Sequence, residues 1–168
     1  DSIVVDGESE LIASGKSGGG LIQVGGSWQN SDLSVRQAIT TQIDEGAVLG
    51  ASAIVEGDGG EIVVWSDISN PESVTSVAGS LLAKGGRKGG DGGDIETSGF
   101  ELDVAGIDVD ATAREGEQGL WLLDPFDYTL RDSEAIAIVN ALTTGSGGTD
   151  VTISTEASSV TAGTSTLS

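Results

Sequence analysis

Acidic side chains supply most of the groups in this sequence that could do chemistry. Asp108 and Asp110 are separated by one residue, so on a β-strand both carboxylates project from the same face, roughly 7 Å apart. That separation suits the acid and base of a glycoside hydrolase. Both residues flank Val109, however, which places them on the solvent side, away from the buried surroundings that a general acid needs. We interpret them as a solvated acidic edge, assign no catalytic residue, and predict that the chain is not an enzyme.

A glycine-rich turn at residues 89–94 is a candidate cation site. Asp91 and Asp94 offer carboxylate oxygens, and the turn resembles the start of the calcium-binding nonapeptide of repeat toxins. That motif requires tandem copies and a large apolar residue two positions after Asp94, where this sequence has Glu96. We therefore predict a plain glycine-rich corner with no cofactor, and keep calcium at Asp91 and Asp94 as the alternative.

The tryptophans Trp28, Trp65 and Trp121 are candidates for contact with a partner. If Val64 points inward on its strand, Trp65 points outward, where it could stack on a sugar or anchor a protein. The alternative, which we favour, is that a loop or a helix at 132–142 covers it.

Lys84, Arg87 and Lys88 form the basic focus of the sequence. They can bind an anionic glycan or neutralise neighbouring acids, and the second role is the more usual one.

The charge balance limits the partners of this chain. With 7 basic and 27 acidic residues the net charge is −20, which repels nucleic acids and anionic membrane surfaces. The absence of Cys and His excludes zinc sites, thiol catalysis and Ser-His-Asp triads within the chain. No apolar run approaches the ~20 residues needed to span a bilayer. Such an acidic chain stays in solution and attracts cations.

A short repeated unit positions these side chains. Each copy consists of glycines followed by a strand of alternating apolar residues. Its clearest copies lie at 18–26, 58–65 and 91–97, with looser copies at 119–123 and 150–155. Glycine is abundant, with 27 residues, whereas only 2 prolines occur, a composition that indicates many tight turns between short strands.

A second unit is interleaved with the first, at 48–51, 80–83 and 108–111. Copies of both units recur at roughly 30-residue intervals and in constant order, which is the behaviour of a solenoid. We predict an all-β chain, a right-handed parallel β-helix over residues 1–131. Its coils should stack so that one buried column contains four aliphatic side chains: Ile22, Ile62, Ile95 and Val151.

One segment breaks the pattern and predicts a short external helix with its turn over residues 132–145. Asp132 or Ser133 can cap it, apolar residues recur at helical spacing, and Gly145 ends it. We expect it to pack outside the coils, between strands at 128–130 and 151–155. Residues 146–168 are predicted to form a further strand and a Ser/Thr-rich tail, whose order the sequence does not decide.

The ordered set of repeats resembles the shaft region of filamentous-haemagglutinin-type exoproteins of two-partner secretion. The phrases that carry this resemblance are GGGLIQVGGSWQ (18–29), EGAVLGASA (45–53), GDGGEIVVWSD (57–67), AGSLLAKGG (78–86), GGDGGDIETSG (89–99) and GLWLLDPFDYTL (119–130). The resemblance implies a secreted bacterial cell-surface protein, exported through an outer-membrane transporter and used in adhesion or cell-cell contact. The family's amino-terminal export domain is not recognised in this sequence, because the residues around Asn70-Pro71 do not match the motifs of that domain. We therefore expect the chain to come from the shaft.

Three functions follow as hypotheses. The first is a structural and adhesive shaft that contacts a protein or glycan on another surface and adjacent segments of its own exoprotein. The second is a scaffold subunit of a larger surface assembly. The third is a polysaccharide-acting β-helix enzyme, which would need paired carboxylates in a groove. The receptor, the oligomeric state and the reason that the chain begins at Asp1 are not encoded in the sequence.

Overall fold

The computed structural model describes residues 1–145 and 147–155, together with the backbone of 165–167. Short strands account for most of the regular structure, beside a 3-10 turn at Trp28–Asn30. The strands and the helix are β1 (Ser2–Val5), β2 (Glu10–Ile12), β3 (Leu21–Val24), β4 (Thr40–Ile43), β5 (Val48–Gly50), β6 (Glu61–Trp65), β7 (Val74–Val77), β8 (Ser80–Leu82), β9 (Asp94–Gly99), β10 (Glu101–Asp103), β11 (Asp108–Asp110), β12 (Leu120–Pro125), α1 (Asp132–Thr143), β13 (Asp150–Ile153) and β14 (Ser165–Leu167).

The strands form three sheets. Up to β12 each sheet takes every third strand, and β13 and β14 then extend the third sheet. The first sheet has the order β1-β4-β7-β10, the second β11-β8-β5-β2, and the third β14-β13-β12-β9-β6-β3. All pairings are parallel except that of β13 with β14. We call three consecutive strands a repeat: repeat 1 is β1–β3, repeat 2 is β4–β6, repeat 3 is β7–β9 and repeat 4 is β10–β12. The expected mostly β architecture of parallel sheets is thus present, with one short helix.

The register of the third sheet stacks identical positions of successive repeats. Ile22 pairs with Ile62, Ile62 with Ile95, and the column continues through Trp121 to Val151. All five side chains are buried. The predicted column of four aliphatic residues is therefore confirmed, and a tryptophan fills its place in repeat 4. Because side chains alternate across a strand, this register also fixes which residues point outward.

The second sheet supplies a matching column from the opposite side of the core. Leu49, Leu81 and Val109 are in register and buried. The first sheet is less apolar, because Thr41 and Thr75 occupy its inward positions. Their hydroxyl groups donate to carbonyl oxygens at the ends of third-sheet strands, so these polar side chains are buried without losing hydrogen bonds.

Glycine is required where the corners between the second and third sheets stack. A Cβ atom added at Gly59 would lie 2.0 Å from the carbonyl oxygen of Ala83, and one added at Gly92 would lie 1.8 Å from that of Ala111. Both distances are far inside van der Waals contact. Neither glycine has a positive φ, so the close stacking of successive repeats explains why a side chain is excluded at these two positions.

Helix α1 packs against β11 and β13, and its buried face belongs to the main core. It thereby takes the place that a strand of the second sheet would have after repeat 4. Its start differs from expectation, since neither Asp132 nor Ser133 caps it: Arg131 precedes it, and the Glu134 carboxylate accepts the Arg131 N–H at 2.8 Å. Gly145, with φ of 61°, follows its end as expected.

Two further expectations concern the segments beside the helix. Residues 128–130 do not form the predicted strand; they have no regular structure and lead into α1. The strand predicted at 151–155 is present in part, as β13, which begins at Asp150 and ends at Ile153. Of the predicted tail, residues 156–164, 168 and also 146 lie outside the described residues, while β14 pairs antiparallel with β13.

Candidate functional site

The outer edge of repeat 1 leaves several apolar side chains uncovered. Five of the ten exposed large apolar residues within the described part of the chain lie on its strands: Ile3, Val4, Leu11, Ile12 and Leu21. Strands β1, β2 and β3 are each the last strand of a sheet. Leu11 is 37% exposed, whereas Leu49 and Leu81, which stand in the same column, are both 0% exposed. Val4 and Ile12 are exposed as well. An edge of free backbone groups beside apolar side chains is a template for another strand.

A groove crosses the corner that follows the second sheet. The groove has a volume of about 600 Å³. Its lining comes from repeats 2, 3 and 4 and the turn after α1: residues 52–54, 84, 85, 87, 112–114 and 145. Its floor is made of small residues, Ala53 and Gly85 among them. The segments are joined by backbone hydrogen bonds from one repeat to the next.

Three basic side chains border this groove. The Lys84 Nζ atom lies 3.2 Å from the Asp110 Oδ2 atom, and the Arg87 Nε atom donates to the carbonyl oxygen of Ile54 at 3.0 Å. Arg114 is exposed beside them. The structure thus brings together Lys84 and Arg87 of the predicted basic cluster.

The predicted basic cluster contains one residue that the groove lacks, Lys88, and lacks one that the groove contains, Arg114. Lys88 does not line the groove, and its backbone N–H donates to Val55 O at 2.8 Å. Arg114, which sequence reasoning missed, replaces it. The sequence repeat could have found it. Arg114 follows the 108–111 unit at the same distance as Gly86 follows the 80–83 unit, and Gly86 lies between Lys84 and Arg87.

Trp65 points outward from β6 but is 1% exposed, which corrects its role as a partner-binding residue. The connection at residues 25–38, here called the covering loop, lies over it, as the loop alternative predicted. A Cβ added at Gly26 would lie 2.3 Å from the Trp65 ring, and the Trp65 Nε1–H donates to Gln37 Oε1 at 3.0 Å. Of the other tryptophans, Trp28 is half-buried and Trp121 is in the core.

Glu96 fastens the covering loop to the sheet. It is 0% exposed, although it points to the outer side of β9. Its Oε2 atom accepts the backbone N–H of Gln29 at 2.9 Å, and its Oε1 atom accepts the Ser98 hydroxyl at 2.8 Å. Gln29 and Asn30 have positive φ, 45° and 52°, a backbone conformation uncommon outside glycine. The buried carboxylate therefore holds a loop turn that has little intrinsic preference for its shape.

Burial raises the pKa of Glu96 from 4.5 to about 7. Burial is the largest cause of this raised pKa; the hydrogen bonds from Gln29 and Ser98 oppose it, and the charges of Asp124 and Glu61 add to it. A carboxyl group with such a pKa can act as a general acid, but Glu96 is enclosed by the loop and its oxygens are occupied. It serves as an anchor in this structure, a role that sequence reasoning missed because its loop partner lies 67 residues away.

The calcium candidates have structural partners. The Asp91 Oδ1 atom accepts the Glu117 N–H at 2.8 Å, and Asp58 accepts the Asp91 N–H in the same way one repeat earlier. Asp94 stands beside Glu61 in register, where burial raises the pKa of both, and the Asp94 charge adds to the rise at Glu61. No cluster of three or more metal-ligating side chains occurs within the described residues. Asp91 thus connects successive repeats through hydrogen bonds.

Asp108 and Asp110 flank the buried Val109 on β11, in the outward arrangement that the sequence predicts. They differ in surroundings. Asp108 is exposed, whereas Asp110 pairs with Lys84 and accepts both the N–H and the hydroxyl of Thr112. Asp110 is therefore engaged within the rim of the basic groove.

Comparison with known proteins does not name a family. No family model matches the chain, and a search of curated proteins finds no significant relative. Within the described residues, no helix has the length and apolar character needed to cross a bilayer. The function must therefore be argued from the stacked strands, the open edge and the groove.

Proposed function

We propose that this chain is a segment of a right-handed parallel β-helix, serving as a structural and adhesive shaft in a large secreted bacterial surface exoprotein of the filamentous-haemagglutinin type. Three parallel sheets, each visited once per repeat in a constant register, support this proposal. In such a rod each repeat gains its stability from its two neighbours. In this role the chain bears load and holds binding surfaces away from the cell, and it turns over no substrate.

The open edge of repeat 1 is the observation that carries the proposal. Positions that are sealed in repeats 2 and 3, such as Leu49 and Leu81, are exposed at their repeat 1 equivalent, Leu11. The apolar side chains and the free strand edge together match the surface that each repeat offers to the next. The partner that fits this edge is another repeat of the same exoprotein.

The charge of the chain fits the same role. A net charge of −20 opposes side-by-side association of rods, while stacking along the rod axis buries apolar columns whatever the charge. Acidic side chains such as Asp108 face outward. A rod that stacks end to end without lateral aggregation is the expected result.

A fusion experiment tests the stacking. Asp1 is replaced by a second copy of residues 40–73, which places an added repeat directly before Ser2. We expect the melting temperature to rise and the backbone amides of β1–β3 to become protected from hydrogen exchange, because the added repeat pairs with the open edge. A fusion with the same residues in shuffled order is the control. An added copy that leaves both quantities unchanged would contradict the proposal.

Cell-surface location is tested separately, on cells that make the protein. Antibodies against the chain should label intact cells, and external protease should remove the label. A scaffold subunit would use the same open edge for a different chain, so the native mass of the particle that contains this segment separates the two functions. A defined complex with unrelated subunits favours the scaffold.

A further inference from the structure

We propose that the basic groove bordered by Lys84, Arg87 and Arg114 binds a linear polysaccharide that carries carboxylates, a polyuronate. The proposal deepens the adhesive half of the proposed function and rests on it for the setting, a surface that meets other surfaces. The argument comes from the charge, the lining and the backbone of the groove.

The charge of the groove selects an anion. The chain has 7 basic residues against 27 acidic ones, yet three of the basic side chains border this one groove. Lys84 is paired with Asp110, whereas Arg87 and Arg114 form no ion pair within the described residues. The Arg114 guanidinium is therefore available in full, and Arg87 keeps its terminal N–H groups, since only its Nε–H donates to the Ile54 carbonyl oxygen. The parallel N–H donors of a guanidinium match a carboxylate.

The lining of the groove suits a sugar ring. Ala53, Gly85 and Ala113 give a floor without side chains that would obstruct it, and the exposed Ile54 adds an apolar wall. The C–H face of a pyranose can lie on such a floor. The Ser52 hydroxyl donates to the Leu82 carbonyl oxygen and accepts the Lys84 N–H, which leaves its oxygen one lone pair for a sugar hydroxyl.

The backbone of the groove argues against an acidic peptide. The Ala53 N–H donates to Lys84 O at 2.8 Å, and the Gly85 N–H donates to Thr112 O at 3.0 Å. These groups bond along the stack, so the groove has no strand edge at which an extended peptide could pair its own amides. A polysaccharide has no amide backbone to satisfy.

The surrounding charge favours carboxylates over a denser sulfated chain. Asp110 at the rim cancels part of the positive charge, and the whole chain carries −20. A ligand with several charges per sugar would meet strong repulsion on either side of the groove, while one carboxylate per sugar meets less. The structure therefore points to sparse, regularly spaced anionic groups.

Titration calorimetry with oligogalacturonides tests this proposal, at low ionic strength and with a chelator present so that divalent cations do not bridge acids. We expect saturable binding to the intact chain that weakens as salt is added. Arg114→Gln should weaken binding about threefold to tenfold, and Arg87→Gln with Arg114→Gln by more than about tenfold. Arg114 makes no hydrogen bond or ion pair within the described residues, so its variant is expected to fold normally.

Matched controls separate the groove from general charge. Lys88→Gln with Arg36→Gln removes the same charge outside the groove and should change the affinity less than about twofold. Equal loss in this control, tighter binding of heparin, equal binding of poly-glutamate, or no binding of oligogalacturonide would each overturn the proposal. If oligogalacturonide does not bind but the added-repeat fusion stabilises the chain, the glycan site is wrong and the shaft proposal stands. If oligogalacturonide binds as expected but the fusion has no effect, the shaft proposal is wrong and the glycan site stands.

Discussion

The two ends of the stack differ although they terminate the same columns of side chains. At the repeat 1 end, β1, β2 and β3 offer free edges, and Leu11 and Ile12 are exposed. At the other end α1 lies against β11, and it buries Ala137, Ile138 and Ala141 in the core. Repeat 1 leaves all three sheets with an open edge, whereas at the other end α1 covers the edge of the second sheet and β10 remains the edge strand of the first.

This difference shows that stacking alone does not end a rod. A further strand reproduces the edge that it covers, because every new strand presents free N–H and C=O groups. A helix satisfies its backbone internally and can cover a column without creating another edge. The covering loop gives the repeat 1 end some support through Glu96, but it covers the outside of the third sheet and leaves the edge open.

The largest expected effect comes from the apolar column of the second sheet, at a position that is buried and at one that is open. Leu81→Ala should lower the free energy of unfolding by about 4 kcal/mol, because it leaves a cavity in a fully buried site. Leu11→Ala, in register at the open edge, should cost about 1 kcal/mol, since its side chain is already partly hydrated. Urea denaturation measures both. Equal losses would show that the edge is covered in solution.

The second prediction uses pH to loosen the end that the covering loop supports. Burial raises the pKa of Glu96 to about 7, so its neutral form is favoured in the folded chain. The stability that this preference contributes is complete below pH 4.5 and is lost as the pH rises through 7. Glu96→Gln should therefore be more stable than the parent at pH 8, by on the order of 2 kcal/mol, and nearly equal at pH 4.

Hydrogen exchange locates this pH effect. Amides of the covering loop, with Gln29 foremost, should lose protection between pH 5 and 8 after correction for the intrinsic rate, while those of α1 should not. Glu115→Gln, which removes a negative charge from an exposed position, controls for net charge. A pH profile of the Glu96 variant that parallels the parent would show that another group is responsible.

The third prediction concerns the covered end. Ile138→Ala should cost about 2 kcal/mol, because Ile138 is 2% exposed and belongs to the core, whereas Ile136→Ala should cost less than about 0.5 kcal/mol at 61% exposure. The two changes are chemically identical and lie in one helix. Thermal unfolding of both variants measures the difference, and a similar loss in each would mean that a partner covers Ile136.

The smallest effect tests a joint between repeats in the interior. Asp91→Ala removes the acceptor of the Glu117 N–H and should cost about 1 kcal/mol. Asp91→Asn keeps an oxygen acceptor and should leave the stability nearly unchanged. Calcium should not raise the melting temperature of the parent if Asp91 acts in this way alone; a calcium-dependent rise lost in both variants would restore the cation site.

Several features could be derived from the sequence because they depend on local periodicity. Alternation of apolar residues after glycine pairs predicted the strands of the third sheet, and repetition predicted the column from Ile22 to Val151. The helix at 132–143 was equally local, since spacing and an ending Gly145 indicate it. Strands of the first sheet were missed as a repeating unit, because buried Thr41 and Thr75 interrupt their apolar pattern.

Tertiary structure alone decided which outward residues are exposed. Nothing near Glu96 or Trp65 in the sequence indicates that residues 25–38 cover them, and nothing near Ile136 indicates that α1 turns it away from the core. Alternation assigns a side chain to one face of a strand, but burial depends on what a distant segment places over that face. The sequence determined the stacking pattern, whereas the exposed surface followed from contacts across many residues, since covering a face is a non-local packing event.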